Sequence, residues 1–172
     1  MDGIRIADRA LAALRGATTS QVVVANDPSA TSWFPDVRVV QDEQPGFGPL
    51  AGLATALAAS GKHPIIVLAW DMPFVPAPLL LALRRRGSDM DAVIPVHDAQ
   101  PEPLCAFYAA GALATCHSLL AAGERRAGVL AERLPRVAWL EDSALAPFGD
   151  PARIFTSVDT PERLAALGGV LP

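Results

Sequence analysis

Lysine is nearly missing from this chain. Of its fourteen basic residues only Lys62 is a lysine, and the rest are arginine. Net charge is −4 and no basic stripe runs along any segment, which excludes nucleic acid as an expected partner. No apolar run approaches the ~20 residues of a membrane-spanning helix, and the N-terminus carries no signal-peptide pattern, so no membrane association is expected. Cysteine is scarce. Cys105 and Cys116 lack any CxxC spacing, which speaks against a zinc or dithiol motif and leaves them as expected buried thiols in a reducing cytoplasm. His63, His97 and His117 show no metal spacing and receive no role. Repeats, low-complexity tracts and linkers are absent as well.

What is present is a core. With 51% hydrophobic residues in 172, one domain over residues 1–172 is expected. Its clearest stretch is Pro64–Pro73. Ile65 to Ala69 form an unbroken apolar run, the pattern of a strand with both faces buried. Trp70 and Asp71 follow, and Pro73 stops the ladder. An acid at the carboxyl end of a central strand sits where open α/β sheets bind ligands. With no His or Cys beside it, the cation it would hold is Mg²⁺ carrying phosphates. The plainer alternative is an Asp that closes the turn before a helix starting near Pro76.

Taken in order, the chain opens with a helix marked by Ala7, Ala10, Leu11 and Leu14 and ended by Gly16. Strands are expected at Val22–Val24, Val37–Val40, Ile65–Ala69, Asp91–Val96, Leu104–Tyr108 and Val137–Leu140. Helices are expected at Pro49–Ser60, Pro76–Arg86, Gly111–Ala122, Ala127–Leu134 and from Thr160-Pro161-Glu162 onward, with a polar loop between Leu140 and Phe155. Strands alternating with helices indicate a layered α/β domain with a mostly parallel sheet. Such folds normally begin with a strand, and here none precedes the first helix.

A parallel arrangement puts Asn26, Asp42 and Asp71 on one edge, because each directly follows a buried strand. An Asn and an Asp suit a nucleobase, one offering an amide and the other an acceptor for ring N–H and exocyclic amine. The competing readings are an Asn-Asp-Pro turn for Asn26 and an exposed loop charge for Asp42. Gly48 and Pro49 open a helix whose N-terminus suits an anion or a base edge, as every helix N-terminus does.

Gly48-Pro49-Leu50-Ala51-Gly52, preceded by Asp42, resembles the Gly-Pro-Leu-(small)-Gly motif of molybdenum cofactor guanylyltransferases. Val22-Val23-Val24-Ala25-Asn26 resembles the family's strand ending in a guanine-contacting Asn. Trp70-Asp71-Met72-Pro73 resembles Cys-Asp-x-Pro, Glu102-Pro103-Leu104-Cys105-Ala106 the Glu-Pro-Leu block, and Phe155 to Glu162 the closing Asn-Ile-Asn-Thr-Pro-Glu. The blocks occur in the family's order and cover nearly the whole chain.

The resemblance implies a three-layer, Rossmann-like nucleotidyltransferase fold and transfer of GMP from GTP to molybdopterin with release of pyrophosphate. It implies Mg²⁺ on Asp71 and Asp159, with Asp71 also the catalytic group, and GTP on Asn26, Asp42, Gly48, Pro49, Leu50 and Asp71. Gln100, Glu102 and Pro103 are candidates for the pterin side, where a Pro-rich strand entry is the competing reading. Transient contact with molybdoenzyme maturation proteins follows from the same resemblance. Three departures stand out. The family's opening strand and Gly-rich loop are missing, Trp70 replaces Cys as a packing change, and Ser157 and Asp159 stand where two Asn are common.

Met1-Asp2-Gly3-Ile4 resembles the segment just after that loop. The expectation is therefore an N-terminally truncated domain whose sheet lacks a central strand and which has little transferase activity. Two alternatives stay open: a sister nucleotidyltransferase using CTP or another acceptor, and a catalytically silent binding module.

Overall fold

Side chains that alternate along the strands sort into two cores, one on each face of a central sheet. In the computed structural model, which describes residues 4–166, the strands are β1 (Val22–Val24), β2 (Arg38–Val40), β3 (Ile65–Leu68), β4 (Ala92–His97), β5 (Gln100–Pro101), β6 (Cys105–Tyr108) and β7 (Val137–Leu140). Ile65, Val67, Ala92, Ile94, Ala106 and Tyr108 face one core; Ile66, Leu68, Val93, Cys105 and Phe107 face the other. This period of two explains why β4 from Ala92 to Val96 and β6 are buried on both faces: both faces of the sheet are covered.

The first core is roofed by α3 (Pro49–Ala59), α5 (Ala112–Ala121) and α6 (Gly128–Arg133), through Leu50, Leu53, Leu57, Cys116, Leu120 and Leu130. The second is closed by α4 (Ala77–Arg86), through Leu79, Leu80 and Leu83, and by Leu145, Ile154 and Phe155 from the chain after β7. Helix, sheet and helix make the three layers expected from the sequence. α1 (Ile6–Arg15) packs on α4, and Gly16 at its end sits so close that an added Cβ would come within 2.7 Å of Ala77 Cβ.

β1 and β2 pair in parallel, in register Val22 with Arg38 through Val24 with Val40. β6 lies antiparallel between β3 and β4, and β7 runs parallel to β4, so β3, β4 and β7 share one direction and β6 reverses it. Asp91 ties the amino end of β4 to β7 by a 2.9 Å ion pair with Arg136, whose guanidinium holds the Asp91 carboxyl below its ordinary range. Among the described residues β1 and β3 do not pair with each other, so the sheet is interrupted between them. A cavity of about 590 Å³ lies there, lined by Val22, Arg38, Ile65 and Ile66. Because it gathers the amino ends of β1, β2 and β3, their carboxyl ends share the opposite edge. Met1–Gly3 lie outside the described residues.

Three short helices were not legible in the sequence: α2 (Ala30–Trp33), α7 (Asp142–Leu145) and α8 (Pro151–Ile154). The segment read as one polar loop is thus largely helical, with Asp150 capping α8 by accepting from the Ala152 N–H at 3.1 Å. The last helix, α9 (Pro161–Ala166), begins at its predicted Pro.

Candidate active site

β3 extends by one rung, where the Ala69 N–H donates to the Leu104 carbonyl at 2.7 Å, and the chain then turns at Trp70 and Asp71. Asp71 is half-buried and is gripped by a segment 86 residues away. The Ser157 hydroxyl donates to Asp71 Oδ2 at 2.6 Å, and the Val158 N–H donates to the Asp71 carbonyl at 2.8 Å. Trp70 is 62% exposed, so its reading as a packing change is corrected: the turn aims the indole at solvent, where it fills no core.

At the ends of β1 and β2, Asn26 Nδ2 donates to Asp42 Oδ2 at 2.8 Å, and the Asp42 N–H donates to Asn26 Oδ1 at 3.0 Å. The other Asp42 oxygen, Oδ1, is buried and has no hydrogen-bond partner among the described residues. The loop after Asp42 is pinned by the Glu43 N–H donating to the buried Thr55 hydroxyl at 3.2 Å.

Gly48 has φ +75, and a Cβ there would meet the Arg125 carbonyl at 3.0 Å, so glycine is needed on two counts. That carbonyl accepts the Leu50 N–H at 3.1 Å, and Gly48 O accepts from the Ala51 N–H at 3.1 Å. Two amides of the first turn of α3 are therefore already engaged, and a ligand at Leu50 N–H would have to displace Arg125. The Arg125 guanidinium lies 5.0 Å from the Phe47 ring centroid.

On the far side of Asp71, Asp98 and Ala99 form the tight turn between β4 and β5, both with positive φ. Gln100 pairs with His97, and the Glu102 N–H donates to the Pro95 carbonyl at 2.9 Å. The Pro103 carbonyl accepts from the buried Tyr108 hydroxyl at 2.8 Å. Burial raises the Glu102 carboxyl above its ordinary range; His97 opposes this and Asp71 adds to it. Glu102 is thus within electrostatic reach of Asp71.

Three features of this edge were invisible in the sequence. His97 Nδ1 lies 2.8 Å from Asp142 Oδ1, and the ring stacks on Phe155 with centroids 6.1 Å apart. Ligand atoms of His97, Asp98 and Asp142 lie within 4.8 Å of one another, although no histidine spacing suggested it. Arg163, one turn into α9, reaches back to Asp159 Oδ1 at 3.0 Å and to the Ser157 carbonyl at 3.4 Å. The His97–Asp142 contact joins segments 45 residues apart, whereas the Arg163 contacts are local, one of them to a backbone carbonyl.

The donor set suits a hard cation. Asp71 offers a carboxylate with one oxygen oriented by Ser157, which fits Mg²⁺. Asp159 Oδ1 is engaged by Arg163, so Asp159 could join through its other oxygen or by exchanging that partner. Lys62, with φ +73 in the turn before β3, lies at the amino end of that strand, on the edge opposite Asp71. The thiols are buried and unpaired; burial raises Cys105 and pushes Cys116 up to about 12. Among the described residues no helix is long and apolar enough to cross a membrane.

Comparison with known proteins bears on the family. Residues 1–137 match the family model described as MobA-like NTP transferase domain. A probable molybdenum cofactor guanylyltransferase from Chloroflexus aggregans is 38% identical over 164 residues, covering 91% of this chain and 76% of that protein. A protein of the same description from Methanothermobacter thermautotrophicus is 39% identical over 102 residues, covering 57% of this chain and 52% of its own length. Among solved structures, molybdopterin-guanine dinucleotide biosynthesis protein A from Archaeoglobus fulgidus superposes with a TM-score of 0.70 at 31% identity, covering 84% of this chain and 75% of that one. The 2-C-methyl-D-erythritol 4-phosphate cytidylyltransferase of Thermus thermophilus shares the fold alone, with a TM-score of 0.66 at 19% identity and coverage of 95% and 87%. With a family model matched over residues 1–137 and a relative 38% identical over 91% of its length, this chain belongs to the MobA-like NTP transferase family.

Proposed function

We propose that the chain binds GTP and transfers its guanylyl group to a terminal phosphate of molybdopterin. The observation that carries this reading is Asp71, held by Ser157 and Val158 at the carboxyl end of β3, on the same edge as the Asn26–Asp42 pair. An acceptor phosphate oxygen attacks the α-phosphorus of GTP. A new P–O bond forms, the bond to the bridging oxygen breaks, and pyrophosphate leaves with the electron pair. The protein's work is to position the reactants and offset charge. Asp71 would hold Mg²⁺, which when bound neutralises phosphate charge. Asn26 and Asp42 read the guanine edge, Gly48 to Leu50 bound the nucleoside, and Gln100, Glu102 and Pro103 flank the acceptor. In this reading the protein works in the cytoplasm and passes its product to molybdoenzyme maturation proteins.

The test is pyrophosphate release from GTP, Mg²⁺ and molybdopterin, with CTP and ATP in parallel. Release from GTP above the protein-free control supports the reading. Faster release from CTP assigns the chain to a sister nucleotidyltransferase. A second reading, a binding module without turnover, is favoured by the interruption between β1 and β3 and by the distant lysine. Tight Mg-GTP binding with no pyrophosphate from any nucleotide would select it.

A further inference from the structure

We infer that Ser157 is a positioning residue for Asp71, fixing which carboxylate oxygen faces the cation. The inference rests on the proposed metal role of Asp71. Ser157 Oγ donates to Asp71 Oδ2 at 2.6 Å across 86 residues of sequence, in a half-buried setting. The same segment is anchored on either side of that hydroxyl. The Val158 N–H donates to the Asp71 carbonyl at 2.8 Å, and Val158 itself is buried. On the other side, Phe155 and Ile154 belong to the core shared with β4 and β6. Ser157 therefore cannot drift away from Asp71 without unpacking its neighbours. Its hydroxyl fills one lone-pair direction of Oδ2. A carboxylate fastened at one oxygen presents the other in one orientation, so less ordering remains when a cation arrives. Arg163 strengthens the arrangement by holding the Ser157 carbonyl at 3.4 Å and Asp159 at 3.0 Å.

The experiment uses Mn²⁺ as the probe, titrated into the protein with GTP present and followed by the electron paramagnetic resonance signal of free Mn²⁺. Four proteins are compared: parent, Ser157→Ala, Ser157→Thr and Asp71→Asn. Ser157→Ala is expected to weaken Mn²⁺ binding roughly 10- to 100-fold, the usual effect of losing a partner that orients a metal ligand. Ser157→Thr, which keeps the hydroxyl, should restore most of it, and the melting temperatures of both should stay close to the parent's. Parent-like binding by Ser157→Ala, with binding lost in Asp71→Asn, overturns the inference and leaves the role of Asp71 standing. Parent-like binding by Asp71→Asn overturns both. A loss in Ser157→Ala that Ser157→Thr does not restore makes Ser157 a packing residue and also overturns the inference.

Discussion

Asn26 and Asp42 complete the parallel ladder of β1 and β2 with their side chains. Asn26 Oδ1 accepts the Asp42 N–H at 3.0 Å, and its amide donates to Asp42 Oδ2 at 2.8 Å. The pair is self-sufficient at one oxygen of Asp42 and not at the other, since Oδ1 is buried without a partner. A guanine ring N–H and exocyclic amine would have to compete for this carboxylate. Asp42→Ala should therefore weaken GTP more than ATP, because a polar pocket discriminates through the groups it leaves unpaired. Calorimetric titration with both nucleotides checks this. Equal weakening would confine Asp42 to holding Asn26 and the loop.

Asp71→Asn keeps the shape of the side chain and removes its charge. Mg²⁺-dependent GTP binding should fall about 10²-fold, the scale of one lost electrostatic stabiliser, while far-ultraviolet circular dichroism stays unchanged. Binding equal to the parent's would remove Asp71 from the site.

The His97–Asp142 contact makes stability depend on pH. The hydrogen bond to Asp142 raises the His97 pKa above 6.5, with the charges of Asp98, Asp142 and Glu102 adding and burial opposing. Because the folded value exceeds the unfolded one, the stabilisation is complete below pH 6.5 and is lost as pH rises through the folded pKa. Denaturant unfolding from about pH 5 to pH 9 should show this decline. Asp142→Asn should flatten it; an unchanged slope would rule the contact out as its source.

Ala99 has φ +59 in the β4–β5 turn, a left-handed conformation that a Cβ disfavours. Ala99→Gly should stabilise the protein by about 0.5–1 kcal/mol, relief of strain exceeding the entropy glycine adds to the unfolded chain. Urea unfolding measures the difference, and a loss of stability would contradict the strain.

Gly87 is buried against the Phe107 ring, which an added Cβ would strike on three carbon atoms. Gly87→Ala should cost about 1–3 kcal/mol, as overpacking of a well-filled core does. A melting temperature equal to the parent's would show that the ring can step aside.

The elements legible in the sequence were those with long uninterrupted patterns. Ile65–Leu68 has no polar interruption, and Pro49 and Pro161 mark the helix starts they were expected to mark. The short helices α2, α7 and α8 have four residues each, less than two turns, too few for a hydrophobic period to register. Trp70 was misread because sequence gives a residue's apolarity but not the direction in which a turn aims it.

By itself the sequence determined the layered α/β class, through apolar runs flanked by amphipathic helices, and the placing of Asn26, Asp42 and Asp71 within three residues of a strand end. Local periodicity carries that information because a strand buried on both faces, or a helix buried on one, needs a repeating pattern along the chain. Only the tertiary structure decided what those acids touch. Ser157 meets Asp71 across 86 residues, Asp142 meets His97 across 45, and the Arg125 carbonyl closes the helix start at Leu50. Such contacts have no period, because they follow from where separate segments come to rest once the two cores have packed.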